Sequence, residues 1–195
     1  SLAGFAGREG IELAALEVDF GKRVPVGGQF RGKLHRLLRV RQGLSQVDAR
    51  CDAGERRVLH QLKRCLEDDY LVWHDVPIGP RARQPDFVIV SPRWGVLLLE
   101  VKAWKLGTIR AANRERVELD RGCERITVAN PLRQARDVML ELVDLMRADP
   151  ALTHADGPFA GRLLFPYGHG AVCAGITVAE IAGSDFAEVF PPHRV

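Results

Sequence analysis

The chain has 195 residues, 46% of them hydrophobic and 27% charged, and its 28 basic against 25 acidic side chains leave a net charge of +3. This is the balance of a globular chain with one sizeable core, or one core and a small appendage. It excludes a membrane helix, because no clean apolar stretch, residues 95–99 included, approaches the roughly 18 residues needed.

Residues 1–50 read as a separate N-terminal extension. A short helix is expected over residues 8–16, then a Gly- and Pro-bearing stretch at 21–28. Residues 31–41 carry five basic side chains and no acidic one, in a segment read as helical. Asp52 is placed to cap a helix over 55–66, where Val58, Leu59, Leu62 and Leu66 recur at three- and four-residue steps and share a face. Residues 70–76 are β-rich and stop at Pro77, which reads as a strand. A second strand is expected over 86–91, a turn over 92–95, and a third strand over 96–102, apolar on both faces until Glu100 as suits a central position. Residues 116–120 and 124–128 read as a hairpin. Asn130 and Pro131 then open a long helix, with Val138, Met139, Leu142 and Met146 as its apolar stripe and an end before Pro150. Later strands are expected over 162–165 and 171–176. The fold class is therefore α/β, a sheet with helices packed on its faces.

The four cysteines, at 51, 65, 123 and 173, contain no Cys-x-x-Cys pair, and the six histidines contain no His-x-x-x-His pair. This spacing argues against a zinc ribbon or a helical zinc site, and the cysteines are read as reduced thiols. The first residues lack the basic-then-apolar pattern of a secretory signal, so a cytoplasmic setting is expected.

The chemistry is expected at Asp86, Glu100 and Lys102. Side chains alternate along a strand, so Glu100 and Lys102 share a face while Leu99 and Val101 point the other way. If strands 86–91 and 96–102 pair through the turn between them, Asp86 comes beside both. Two carboxylates and one ammonium on an apolar sheet suit Mg²⁺, a hard cation that takes oxygen ligands and substrate phosphate oxygens. A lysine beside it can orient an attacking water or offset developing charge. Glu-x-Lys alone also occurs as a surface ion pair at a strand end. Its place on the most apolar strand, after a Pro-Asp pair upstream, favours the functional reading. Glu55 points with the buried face of its helix, where a carboxylate needs a partner or a metal; a plain role in the first helical turn, complementing the helix dipole, is the alternative. Gln134 flanks the stripe of the long helix, where its amide could hold Glu100 or a bound water. An ordinary half-buried amide is the alternative there.

Gln84-Pro85-Asp86 followed by Glu100-Val101-Lys102 resembles the PD-(D/E)xK nuclease signature. The closer likeness is to the nuclease-related domain, NERD. Gly54-Glu55-Arg56, the run from Trp94 to Lys102, the run from Asn130 to Ala135, and the run from Leu164 to Val172 resemble further stretches of that domain. The likeness runs over about residues 52–195, which would make residues 51–195 a NERD domain behind a basic extension, 1–50. It implies a restriction-endonuclease-like mixed sheet flanked by helices and Mg²⁺- or Mn²⁺-dependent cleavage. Asp86, Glu100 and Glu55 are implied as metal ligands, Lys102 as the catalytic lysine, and Gln134 as the glutamine on the helix after the sheet. The tyrosine that relatives carry four residues further on is Val138 here. The last residues, Pro191-Pro-His-Arg-Val195, resemble a segment between such a domain and a superfamily 1 helicase, so a motor is expected to follow Val195.

The partner expected is DNA. Lys33, Arg36 and Arg39 in the basic segment, with Arg81 and Arg83 just before the proposed site, are candidates for phosphate contact; solvated basic faces are the alternative. The net charge allows a nucleic-acid partner without demanding one. A DNA-binding module without catalysis and an RNA nuclease are the competing functions. No Gly-x-x-x-x-Gly-Lys loop is present, so this chain is not itself an ATPase.

Overall fold

The computed structural model describes residues 13–19, 49–66, 69–91 and 93–191. No helix among them is long and apolar enough to cross a membrane. The basic segment 31–41, with Lys33, Arg36 and Arg39, lies outside the described residues.

Helix α1 (Ala53–Cys65) begins where expected. The Asp52 side chain accepts from the Glu55 N–H while the Glu55 side chain accepts from the Asp52 N–H, a reciprocal capping box. Strands β2 (Leu71–His74), β3 (Phe87–Ser91) and β4 (Gly95–Lys102) form an antiparallel meander. The β3–β4 turn needs Gly95: its φ is +77°, and a Cβ there would fall 1.8 Å from the Pro166 carbonyl oxygen. That carbonyl accepts a hydrogen bond from the Val96 N–H, so the same close approach brings β8 (Tyr167–Cys173) in beside β4, in parallel register.

Strand β1 (Leu13–Asp19) pairs antiparallel with the other side of β8, giving a five-stranded mixed sheet in the order β1-β8-β4-β3-β2. This corrects the helix expected over 8–16 for residues 13–16, the part of it that lies among the described residues. Without β1, β8 would be an open edge of unpaired backbone groups, and ladder formation there overrides a weak local helical pattern. Part of the N-terminal extension is thus built into the main sheet.

The two sheet faces separate by residue parity. Trp73, Val88, Val90, Val96 and Leu98 pack under α2 (Pro131–Arg147), whose Ala135, Val138, Met139, Leu142, Val143 and Met146 face them. Phe87, Ile89, Leu97, Leu99 and Val101 pack on the opposite face against Val58, Leu59 and Leu62 of α1. Between β4 and α2 the chain makes a second, three-stranded sheet from β5 (Ile109–Ala112), β6 (Arg116–Arg121) and β7 (Glu124–Ala129). Its inner face, with Ile109, Val117 and Leu119, packs on Ile176, Phe190 and Ile181, the last on the short helix α3 (Val178–Ala182).

Two late strands differ from expectation. Residues 162–165 form no strand: Leu163 and Phe165 are buried in the α2-side core, but Leu163 makes only an isolated bridge to Thr153 before Pro166. The strand expected over 171–176 starts at Tyr167 instead. Its first half holds Gly168 and Gly170, residues with poor strand propensity, which are tolerated because they lie opposite Leu97 and Leu99 of β4.

Candidate active site

The β3–β4 register sets Phe87 opposite Leu99, so Asp86, one residue earlier, comes level with Glu100. The Val101 N–H donates to Asp86 Oδ2 at 2.5 Å, which fixes the carboxylate against β4. Glu100 and Lys102 share the α2 face of the sheet, as alternation from Val96 and Leu98 requires. Lys102 Nζ donates to Glu100 Oε1 at 2.6 Å, and Gln134 Nε2, from the first turn of α2, donates to the same oxygen at 2.6 Å. The start of α2 is itself fixed: Asn130 Oδ1 accepts from the Leu132 N–H, and Asn130 Nδ2 donates to the Asn113 carbonyl.

Glu100 is 2% exposed. With both donors on Oε1, its Oε2 is buried with no hydrogen-bond partner among the described residues. A buried acceptor left this way costs free energy unless something positive meets it. The electrostatics point the same way. Burial, then the neighbouring Glu100 charge, push the Asp86 carboxyl up to about 7, against the pull of the Val101 N–H and Lys102, with Glu55 adding a further push. Burial likewise raises Glu100 against the attraction of Lys102. One lysine leaves this concentration of carboxylates short of positive charge. The donor set, all oxygen with one oxygen unmet, fits a hard divalent cation.

The structure therefore brings Asp86, Glu100, Lys102 and Gln134 together. Glu55 comes from the α1 side of the sheet. It is close enough to raise both carboxyls electrostatically, yet its Oε2 lies 3.2 Å from His74 Nε2 and also accepts from the Asp52 N–H. His74, which the sequence reading passed over, ends β2 opposite Phe87 and is buried. Arg81 is exposed, and Arg83 Nε lies 3.7 Å from Glu141 Oε2. Both line a cleft along α2 with Asp137, Glu141 and Asp144, so the charge there is mixed rather than purely basic.

Residues 51–166 match the family described as nuclease-related domain. The chain belongs to that family. The matched span holds Glu55, Asp86, Glu100, Lys102 and Gln134, and stops just before β8, short of the 52–195 expected from the sequence. The five-stranded sheet thus includes two strands from outside the matched span, β1 and β8. No curated protein and no solved structure matches the chain.

Proposed function

We propose that the Asp86–Glu100–Lys102–Gln134 site hydrolyses phosphodiester bonds of DNA with Mg²⁺ or Mn²⁺. The observation that carries this reading is Glu100, whose Oε1 takes both Lys102 and Gln134 while its Oε2, level with Asp86, is buried with no partner among the described residues. Membership in a nuclease-related family supports the same chemistry.

Asp86 and Glu100 would hold the cation, which when bound supplies water activation and charge stabilisation at the scissile phosphate. Gln134 orients the Glu100 carboxylate by its hydrogen bond. Lys102, about a quarter exposed while Glu100 is buried, carries an ammonium at the open side of the pair. There it positions an attacking water and offsets charge developing on the phosphate oxygens. The reading extends to a superfamily 1 helicase as a partner, supported by the resemblance of residues 191–195. A cleavage rate that no such helicase alters would end that extension.

The test is a cleavage assay on single-stranded, nicked, linear and circular DNA, and on RNA, with Mg²⁺ or Mn²⁺. Metal-dependent products from DNA are expected. Cleavage of RNA alone would replace the substrate, and binding of DNA without any cleavage would replace the enzyme with a tethering module.

A further inference from the structure

On the face of the sheet opposite Glu100, the start of α1 meets the end of β2. Cys51, Glu55 and His74 each offer a ligand atom there, all within 4.8 Å of one another. Cys51 is 5% exposed and His74 3%, and the Glu55 side chain is 19% exposed. We propose that these three residues form a second cation site, for a metal of borderline softness such as Zn²⁺.

The ligand types select that class of metal: thiolate and imidazole favour zinc-like ions, whereas Mg²⁺ takes oxygen. The spacing fits as well. Zinc bonds of about 2.0–2.3 Å in a tetrahedron put neighbouring ligand atoms roughly 3.3–3.8 Å apart. His74 Nε2 and Glu55 Oε2 already stand 3.2 Å apart, and the outer limit of 4.8 Å closes by a small side-chain rotation.

His74 gives an independent sign. Its Nδ1 is buried with no hydrogen-bond partner among the described residues, while Nε2 faces Glu55. If the proton sits on Nε2, Nδ1 is an unmet acceptor. If it sits on Nδ1, two acceptors face each other at Nε2 and Glu55 Oε2, which a cation between them relieves, while the Nδ1–H stays buried with no partner among the described residues. The Phe87 ring, 5.2 Å away and tilted 51°, packs against the imidazole. Charge balances too, since one thiolate, one carboxylate and one neutral imidazole cancel a divalent ion in a place that tolerates no net charge. The Arg56 guanidinium donates to the Cys51 carbonyl at 2.9 Å, which anchors the backbone that carries the thiol. Cys51 precedes the N-cap of α1, Glu55 lies in its first turn and His74 comes from another element, so no short sequence motif announces the trio. Three protein ligands leave a fourth position open.

The site shares no ligand with the Asp86–Glu100 pair, although Glu55 lies close enough to raise both of those carboxyls. The test uses Co²⁺ as the probe on the full chain after removal of bound metal with EDTA. One equivalent should give a thiolate-to-cobalt charge-transfer band in the near-ultraviolet, displaced by Zn²⁺. Cys51→Ser should lose the band, His74→Asn should weaken Co²⁺ binding at least tenfold, and Cys65→Ser and Asp86→Ala should keep it. No band in the wild type, or a band that survives in folded Cys51→Ser, overturns the site. Should Cys51→Ser fail to fold, the wild type decides: Zn²⁺ must slow modification of Cys51 by a thiol reagent, read by mass spectrometry, and an unchanged rate overturns the site. A chain that shows the band yet cuts no nucleic acid upholds this site and sinks the nuclease.

Discussion

Replacing Asp86 by Asn should stabilise the metal-free protein, and should do so only as the pH rises. The folded chain holds the Asp86 carboxyl at about 7, against 3.8 for the free side chain. A raised carboxyl pKa means that the folded state binds the proton more tightly than the unfolded state. Stability is therefore full below about pH 4 and is lost as the pH climbs through 7. At 1.36 kcal/mol per pKa unit, the loss is on the order of 4 kcal/mol at pH 8. Asparagine keeps an oxygen for the Val101 N–H but carries no charge. Asp86→Asn should match the wild type near pH 4 and exceed it by about 2–4 kcal/mol at pH 8 in EDTA. Urea denaturation at the two pH values reads this directly. Millimolar Mn²⁺ should restore stability to the wild type at pH 8 and do nothing for the variant. A stability difference that stays flat with pH, or that favours the wild type at pH 8 without metal, would refute the electrostatic account of the site.

Other outcomes follow from named contacts. Lys102→Ala should abolish cleavage while sparing cation binding, and Gln134→Ala should slow cleavage by about 10–100-fold through loss of Glu100 orientation; single-turnover rates on one DNA substrate separate the two. Gly95→Ala should cost about 1–3 kcal/mol or more, because it combines a positive φ with collision on the Pro166 carbonyl, and thermal unfolding checks it. Neutralising Lys33, Arg36 and Arg39 together should flatten the salt dependence of DNA binding by about 0.9 in log–log slope per lost phosphate contact. Substitution is the right perturbation there, since deleting residues 1–50 would also strip β1 from the sheet.

The stretch from Asp52 to Lys102 was legible because each element there carries its own local signal. Asp52 and Glu55 form a capping box, Val58, Leu59 and Leu62 mark a helical face, and β4 is apolar on both sides as a central strand must be. The pairing of Asp86 with Glu100 followed from strand alternation and one short turn. Legibility failed where structure is set by partners distant in sequence. β1 is a strand because β8 offers it an edge, and β8 hides its first half behind Gly168 and Gly170. β5 has a bulge in its register with β6, which breaks the alternation a strand reading needs. Gln134 was placed on the right helix, but its bond to Glu100 depends on how α2 lies on the sheet. Glu55, expected on the buried face of its helix, is half-buried and also closes the capping box with Asp52. That it meets His74 depends on how α1 packs against β2, which spacing does not encode.

The central claim is that Asp86 and Glu100 seat a divalent cation for phosphodiester chemistry. Calorimetric titration with Mn²⁺ tests it most directly, in a Cys51→Ser background so that the thiol site does not contribute. Binding at millimolar Mn²⁺ that tightens between pH 6 and pH 8, and that disappears in Asp86→Ala, is the predicted result. No binding at millimolar Mn²⁺, or binding that Asp86→Ala leaves unchanged, would contradict it.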